Sequence, residues 1–280
     1  MWTKCGKIDD GHAQIPVVKA LENNLFRIFV TDRTTENKSY IRRFDFDIST
    51  RSIFNRSTFA SGATDEDQDG MMTSCLIEDK FYYTAWRKLD GKKYAQSIGV
   101  MTTDLNKPGP RTIVIKSSNE DEMLCCSPFV VKDGIYKMWF ISGRLCGGWS
   151  AYGPRYTIRY AESHDGLSWD QREVNFARAT DEVFARPYVI KECGLWKMWY
   201  SYLFLTDCKA YRIGYAESVD GISWTRIDNQ AGIGLSDEGW DSETVAFPFL
   251  INHRNTQYMF YSGNRFGMGG LGYACRKICN

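Results

Sequence analysis

An internal repeat constrains the fold of this chain more than any other feature of its sequence. The first copy runs from Ser127 to Trp169, and the second copy runs from Arg186 to Trp224. Each copy contains a proline-led apolar run, a Lys-Met-Trp segment and the sequence Tyr-Ala-Glu-Ser-x-Asp-Gly-x-Ser-Trp. Apolar runs of about four to eight residues between turn residues are typical of buried strands. The repeat therefore predicts a four-stranded antiparallel unit.

Weaker copies of this unit extend the pattern over the whole chain. The position that marks each first strand recurs at roughly the spacing of propeller blades, at Pro16, Cys75, Pro128, Pro187 and Pro248. One four-stranded sheet cannot bury both of its faces alone, so the units must pack against one another. The sequence therefore predicts an all-β, five-bladed β-propeller with four-stranded antiparallel blades, which forms a single domain over residues 1–280.

The two ends of the chain predict how the ring closes. The last unit ends near Cys275, after its third strand. The segment Trp2–Ile8 is similar to the fourth-strand segments that begin at Trp169 and Trp224. We therefore expect the N-terminal segment to pair with residues 271–276 as the outer strand of the last blade.

Composition argues against several classes of partner. Lys and Arg number 35 against 34 Asp and Glu, so the net charge does not indicate a nucleic-acid or membrane surface. No apolar run approaches the roughly 18 residues of a membrane span, and no signal-peptide pattern opens the chain. Nine cysteines, an odd number without zinc-like spacing, indicate reduced thiols. We expect a cytoplasmic protein without nucleic-acid or membrane partners, and the sequence does not define its oligomeric state.

The loops that enter the first strands are acidic in four of the five units. In a propeller these loops meet on one face, around the central channel. Converging carboxylates repel one another and raise the pKa of some members, which keeps a general acid protonated. The candidates for acid, base and pKa modulator are Glu122, Asp181, Glu182, Glu243 and Asp69. The alternative is that these residues are ordinary solvated loop residues.

A second set of loops on the same face begins with arginine in four of the five units. Guanidinium groups can clamp a carboxylate, sulfate or phosphate, and aromatic rings can stack on a sugar. The candidates for substrate binding are His12, Arg144, Trp149, Tyr152, Arg155, Arg186, Trp240, Asp241 and Arg265. In contrast, Arg33 and Arg87 are expected to pair with the acidic loops beside them.

The repeated Tyr-Ala-Glu-Ser-x-Asp-Gly-x-Ser-Trp and Lys-Met-Trp segments resemble those of the five-bladed propeller glycosidases, families 43, 32, 68 and 130 and their uncharacterised relatives. The resemblance covers essentially the whole chain. It implies a carbohydrate-active enzyme that acts at the central funnel on a glycoside or on an anionic or activated sugar. A sugar phosphate or nucleotide sugar, and a role in surface-polysaccharide assembly, fit a cytoplasmic location. The alternatives are a non-catalytic glycan-binding propeller and a protein-interaction propeller.

The resemblance also identifies the positions of the family's catalytic residues. The family's Asp beside the first-blade proline corresponds to Ile15, and its general acid corresponds to Cys126-Ser127. Hydrolysis by this chain would therefore need carboxylates from the entering loops. The hydrolytic, phosphorolytic or transfer nature of the reaction stays open. No cofactor is implied, although His12 with a carboxylate could hold a central Ca²⁺ or water instead of being a hydrogen-bonded structural residue.

Overall fold

The structure is a computed structural model that describes residues 1–9, 11–89, 94–117, 123–144, 155–206 and 210–278, without the side chains of residues 123 and 144. The strands in chain order are β1 Thr3–Asp9, β2 Gln14–Ala20, β3 Leu25–Arg33, β4 Ser39–Asp47, β5 Ser52–Ser61, β6 Gly70–Ile77, β7 Lys80–Lys88, β8 Tyr94–Thr103, β9 Pro108–Ile115, β10 Met123–Asp133, β11 Ile135–Arg144, β12 Arg155–Ser163, β13 Asp170–Arg172, β14 Asn175–Phe176, β15 Glu182–Glu192, β16 Leu195–Phe204, β17 Arg212–Ser218, β18 Ser223–Arg226, β19 Ala246–His253, β20 Thr256–Ser262 and β21 Leu271–Lys277. A 3-10 turn at Asp228–Gln230 and a helical turn α1 at Asn264–Gly267 complete the regular structure of these residues. No helix among them is long and apolar enough to cross a membrane.

The strands follow one another as antiparallel meanders, as the repeat predicts. Successive strands pair within β2–β5, β6–β9, β10–β13, β15–β18 and β19–β21. A single parallel residue pair, Ser39 opposite Gly70, joins the first two meanders into one eight-stranded sheet. The all-β class is confirmed, whereas the count of five blades stays a prediction because these two meanders are not separate sheets.

The first strand of each meander lies toward the middle of the molecule. β2 packs beside β6 and β19, β10 packs beside β6 and β15, and β15 packs beside β19. These strands are almost wholly buried in their middle parts, which follows from their apolar, proline-led sequences. They therefore surround a common interior, which we call the channel.

The predicted pairing of the N-terminal segment with the last strand is confirmed. β1 runs antiparallel to β21, with Thr3 opposite Cys275 and Asp9 opposite Leu271. The Sγ atoms of Cys5 and Cys275 lie 3.2 Å apart across this strand pair. Burial and the neighbouring Cys275 thiol raise the pKa of Cys5 to about 12, so the thiol stays protonated near neutral pH. The N-terminal strand thus completes a four-stranded sheet with the last three strands of the chain.

The Ser-x-Asp-Gly segment of the repeat forms the same turn in both copies. Asp165 Oδ1 accepts hydrogen bonds from the backbone N–H groups of Leu167 and Ser168, at 2.7 and 2.8 Å. Asp220 makes the same pair of contacts in the second copy. These backbone hydrogen bonds lower the pKa of Asp165 to about 2. The Ser-x-Asp-Gly segment of the repeat therefore has a structural role in both copies.

Candidate functional site

The first strands share a backbone irregularity inside the channel. The residue before the proline has a positive φ, between 49° and 58°, at Ile15, Ser127, Arg186 and Phe247. The register with the second strand shifts at each of these positions. Positive φ is uncommon outside glycine, and a bulge changes the direction in which a side chain points. These four positions therefore depart from the regular alternation of the strands.

Apolar side chains fill the channel at the level of these bulges. Ile15, Ala246 and Phe247 form a buried cluster. Side chains from two other strands and from the segment before β17 pack against it, namely Met72, Ala185 and Tyr211. We call these six residues the apolar plug. The plug therefore includes residues at or next to the positions before three of the first-strand prolines.

None of the four positions before the prolines is a carboxylate, which agrees with the departure from the family pattern seen in the sequence. Cys126, beside Ser127, is buried, and burial raises the pKa of its thiol to about 12. Glycoside hydrolysis needs two carboxyl groups about 5–5.5 Å apart for retention or roughly 6.5–9.5 Å apart for inversion. Such a pair would have to come from the entering loops of this chain.

Aromatic side chains line the mouth of the channel over the plug. The Tyr211 ring lies 5.6 Å from the Phe247 ring and 5.6 Å from the Phe266 ring. Phe266, in α1, is 47% exposed. The hydroxyl oxygens of Tyr94 and Tyr156 lie 2.8 Å apart, and burial, with Tyr94 nearby, raises the pKa of Tyr211. The mouth therefore offers partly exposed rings on which a sugar can stack.

Arg33 brings a positive charge to this mouth. Its Nη1 donates to Asn37 Oδ1 at 3.0 Å, and its guanidinium lies 5.7 Å from the ring centroid of Trp86. Its Nη2 is 4.0 Å from the sulfur of Met72, a member of the plug. No carboxylate among the described residues forms an ion pair with Arg33, and burial lowers its pKa. The expected pairing of Arg33 with an acidic loop is therefore not found among the described residues.

Arg33 can be compared with the corresponding arginine of the next meander and with the nearby His12. Arg87, at the corresponding place in the next meander, lies 3.8 Å from Glu66, so its predicted pairing is confirmed. Burial and the Arg33 charge lower the pKa of His12, which is therefore neutral near pH 7. The Nε2 atom of His12 is buried and has no hydrogen-bond partner in the described part of the chain. A neutral imidazole thus lies close to a guanidinium that has no carboxylate partner in the described part of the chain.

Three of the predicted acids lie in open loops. Asp69 accepts the Lys88 backbone N–H at 2.7 Å and lines a pocket of about 440 Å³ between the first two meanders. A hydrogen bond from Thr206 lowers the pKa of Asp181, and the exposed Arg155 contributes to this lowering. Glu243 is exposed, and no described residue pairs with its carboxylate. Among these three, only Glu243 is free of a strong local partner.

Two other predicted site residues are occupied by structural contacts. Glu182 is 1% exposed and accepts hydrogen bonds from two nitrogens of Arg226, both at 2.7 Å. Asp241 is 2% exposed and bonds to Lys4 Nζ at 2.7 Å and to the Tyr261 hydroxyl at 2.8 Å. Carboxylates held in this way are not free to exchange protons with a substrate. Both residues hold elements of the fold together.

A second pocket, of about 520 Å³, brings together three of the predicted site residues. Trp240, Glu243 and Arg265 line it together with Lys7 and Asn264. Asn264 Oδ1 accepts the backbone N–H groups of Glu243 and Thr244 at 2.8 and 3.0 Å, which fixes the loop that carries the acid. We call this space the Glu243 pocket.

The α1 turn lies between the Glu243 pocket and the channel mouth. Arg265 and Phe266 both have positive φ, and Phe266 contacts Tyr211 at the mouth while Arg265 lines the pocket. Trp240 stacks on Tyr261, with ring centroids 5.1 Å apart, so part of its surface is used in packing. The mouth and the pocket are therefore neighbouring parts of one face.

The remaining predictions divide into two groups. Glu122, Trp149, Tyr152 and the side chain of Arg144 lie outside the described residues. Arg186 is described and is wholly buried, so its side chain does not reach the mouth. Within the described residues no group of three or more His, Cys, Asp and Glu side chains could hold a metal ion. The central Ca²⁺ or water considered for His12 stays an untested expectation.

The sequence did not single out the aromatic residues of the mouth. Tyr211 precedes the third strand of its unit, and Phe247 precedes Pro248 on a first strand. Of these residues, only Phe247 could have been identified from the sequence. It occupies the position before the proline that Ile15 and Arg186 occupy in other units. The exposure of Phe266 could not be inferred, since it depends on the positive φ that it shares with Arg265.

Comparison of the sequence with known proteins finds relatives without an assigned activity. No family model matches the chain. Uncharacterised proteins from two strains of Mycobacterium tuberculosis are 28% identical over 298 aligned positions, which cover 98% of this chain and 98% of each relative. The relatives therefore have the same extent as this chain and do not indicate its reaction.

Comparison of the structure finds carbohydrate-active proteins. A glycoside hydrolase superposes with a TM-score of 0.73 at 13% identity, over 100% of this chain and 93% of the other. A thermostable family-43 glycoside hydrolase gives 0.66 at 13% identity, over 95% and 89% of the two chains. An N-acetylgalactosamine deacetylase from F. plautii gives 0.67 at 12% identity, over 99% and 96%. The fold of this chain is therefore that of the glycosidase-like propellers.

Proposed function

We propose that this chain is a carbohydrate-active, glycoside hydrolase-like enzyme that binds an anionic sugar at the mouth of a five-bladed propeller channel. The fold that it shares with glycoside hydrolases supports a carbohydrate ligand. The cyclic order of the first strands, with β19 beside β2, supports five blades. The proposal places the sugar over the apolar plug and next to the Glu243 pocket.

The guanidinium of Arg33, which has no carboxylate partner among the described residues, is the observation that carries this proposal. An arginine at a protein surface usually pairs with a carboxylate or points into solvent, whereas Arg33 is half-buried between Trp86, Met72 and Asn37. A fixed and partly desolvated guanidinium is suited to bidentate binding of a carboxylate or phosphate. Because His12 beside it is neutral, an incoming anion meets one fixed cation and one potential hydrogen-bond partner.

The aromatic residues of the mouth indicate that the ligand carries a sugar ring in addition to its negative charge. Tyr211 and Phe266 present ring faces within reach of the apolar face of a pyranose, and the Tyr94–Tyr156 hydroxyl pair can bond to ring hydroxyls. A uronate, a sugar phosphate or a nucleotide sugar has both features. Such ligands fit a cytoplasmic step of glycan assembly, which we include in the proposal.

Glu243 is the acid–base residue in this proposal. Its carboxylate is open, its loop is fixed by Asn264, and the cations Lys7 and Arg265 line the same pocket. A general acid or base must be free to move a proton, which the ion-paired Glu182 and Asp241 are not. The hydrogen bond from Thr206 lowers the pKa of Asp181, another of the open carboxylates, which keeps it ionised and suits a charge-stabilising role.

One observation favours a second candidate function, a non-catalytic glycan-binding propeller. The positions before the first-strand prolines hold Ile15, Ser127, Arg186 and Phe247, and none of these side chains can act as a base or nucleophile in glycoside cleavage. A chain that kept the aromatic mouth and lost those carboxylates would bind sugars without turning them over. The two functions differ in turnover and share the binding site.

We expect Arg33→Met to weaken binding of anionic sugars by at least about tenfold, since a bond from a charged donor to an anion is worth roughly 1.5–3 kcal/mol. Isothermal titration with a uronate, a sugar phosphate and the matching neutral sugar measures this effect. Arg87→Met is the matched control, because Arg87 has the same place in the next meander and pairs with Glu66. Equal affinity of wild type and Arg33→Met for every anionic sugar would exclude the proposed site.

We expect Glu243→Gln to reduce turnover of a bound sugar by roughly 10²–10⁴-fold, the usual contribution of general acid–base catalysis, with little change in affinity. The measurement is product formation from ligands that the titrations identify. Asp69→Asn, in the separate pocket between the first two meanders, is the control. If wild type binds a sugar through Arg33 and releases no product, the binding-only function is correct and Glu243 has no catalytic role.

A further inference from the structure

Two thiols face each other on the strand pair that joins the two ends of the chain. The Sγ atoms of Cys5 on β1 and Cys275 on β21 lie 3.2 Å apart. Thr3 is directly opposite Cys275, and the register passes from Lys4 to Gly6, so Cys5 is the extra residue of a β-bulge. A regular register would place Cys5 only diagonally to Cys275, whereas a bulge changes the direction of a side chain. The bulge therefore accounts for the contact between the two sulfur atoms.

This contact is close to the geometry of a covalent bond. The sulfur atoms of a disulfide lie about 2.05 Å apart, so these two need to approach by only about 1 Å more. Small side-chain rotations can supply a movement of this size. Cys5 and Cys275 are both partly exposed, whereas Cys75, Cys125 and Cys126 are buried. A small oxidant in solution can therefore reach the pair.

The surroundings of Cys5 determine how readily it reacts. Arg51, in the turn between β4 and β5, donates from Nη2 to the Lys7 carbonyl at 3.4 Å, and its positive charge favours the Cys5 thiolate. Burial and the neighbouring Cys275 thiol outweigh this effect and raise the pKa of Cys5 to about 12. We therefore expect the reduced pair to persist in a reducing compartment and to react slowly, with an excess of oxidant.

The position of the pair gives its oxidation a structural consequence. In the four-stranded sheet β1 pairs only with β21, and without β1 the strand β21 would be an edge strand. β1 also supplies Lys4, which lies 2.7 Å from Asp241, and Lys7, which lines the Glu243 pocket. A covalent bond between Cys5 and Cys275 would fix this strand to the last strand of the chain.

We propose that Cys5 and Cys275 form a reversible disulfide that locks β1 onto β21 when the protein meets a small disulfide such as oxidised glutathione. One cysteine thiolate attacks a sulfur of the small disulfide, whose S–S bond breaks and releases one thiol. The other cysteine thiolate then attacks the protein sulfur of the mixed disulfide and releases the second thiol. The two cysteines lose two electrons and two protons, which end on the two released thiols. An excess of small thiol reverses both steps.

Peptide mapping of the wild-type protein tests the bond directly. The protein is incubated with oxidised glutathione, the remaining thiols are blocked with iodoacetamide, and tryptic peptides are analysed by mass spectrometry. Trypsin cleaves after Lys and Arg, so Cys5, Cys275 and Cys279 fall in separate peptides, residues 5–7, 266–276 and 278–280. The expected product joins the first two peptides and is separated by dithiothreitol. Cross-links to other cysteines instead, or glutathione adducts alone, would overturn the proposal.

Urea unfolding of the oxidised and reduced protein tests the lock. Oxidation should raise the folding equilibrium constant at least about 30-fold, because a disulfide that closes a long loop strongly restricts the unfolded chain. Cys5→Ser should lose this gain, and Cys193→Ser, at an exposed cysteine, should keep it. No gain in oxidised wild type, or an equal gain in Cys5→Ser, would overturn the proposal. Neither measurement depends on the sugar proposed for the mouth.

Discussion

Replacing Trp139 by Ala should lower the free energy of unfolding by about 3–5 kcal/mol, the usual cost of removing a buried large aromatic side chain. Trp139 is 0% exposed, and its Nε1 donates to the Gly221 carbonyl at 2.8 Å. Its ring centroid lies 5.1 Å from that of Trp196 and 5.3 Å from that of Tyr160. The indole therefore connects the third meander to a turn of the fourth, and its loss weakens the contact between two units.

Urea unfolding monitored by far-UV circular dichroism measures this loss. Leu167→Ala, at a residue that is 45% exposed, should change the free energy of unfolding by no more than about 0.5 kcal/mol. Trp139→Phe should fall between the two, because it keeps a ring and loses the hydrogen bond to Gly221. A Trp139→Ala variant within about 1 kcal/mol of wild type would show that the contact between these units does not depend on this side chain.

The turns of the scaffold could be predicted because the same sequence segment occurs twice and forms the same turn each time. Asp165 and Asp220 each cap a turn through two backbone N–H groups, so their spacing in the sequence defined the turn. The likeness of Trp2–Ile8 to the fourth-strand segments was enough to predict the β1–β21 pair. These features depend on neighbouring residues or on a recurring pattern, which a single sequence displays.

The candidate site could be predicted only in part, because side-chain direction depends on contacts between distant residues. Trp240, Glu243 and Arg265 come together in one pocket, as the loop positions suggested. Asp181 and Glu182 are adjacent in the sequence, yet Asp181 is partly exposed while Glu182 is buried against Arg226. Side chains of successive strand residues point to opposite faces, so a shift of one position reverses their roles.

The contacts of Arg186 and Arg33 likewise could not be predicted from the sequence. The sequence places Arg186 at the start of a first strand, beside Pro187, which is consistent with a position at the mouth. The bulge at Arg186, with φ of 49°, instead goes with a buried side chain whose Nη2 lies 3.3 Å from the Pro16 carbonyl oxygen on β2. Arg33 was expected to pair with an acidic loop, and its hydrogen-bond partner among the described residues is Asn37, four residues along the chain. In both cases tertiary packing determined the partners of the arginine.

Replacing Glu182 by Ala should strongly lower the free energy of unfolding. The substitution leaves the mostly buried guanidinium of Arg226 without its main partner. Arg226 lies among aromatic rings, 5.3 Å from the Phe184 centroid, and its other carboxylate partner, Asp228, is 2.7 Å away. Removing one partner of a buried pair costs roughly 3–5 kcal/mol. We expect the lower end of this range, because Asp228 remains to balance part of the charge.

A double-mutant cycle identifies the cause of this loss. Arg226→Met together with Glu182→Ala removes both charges, so the double variant should be more stable than Glu182→Ala alone, as measured by urea unfolding. The cycle also separates structure from catalysis at Glu182. A purely structural carboxylate predicts that the double variant, once folded, keeps the turnover of wild type. Loss of turnover in a stably folded double variant would instead indicate that Glu182 is a catalytic acid. It would contradict the structural role that its contacts with Arg226 indicate.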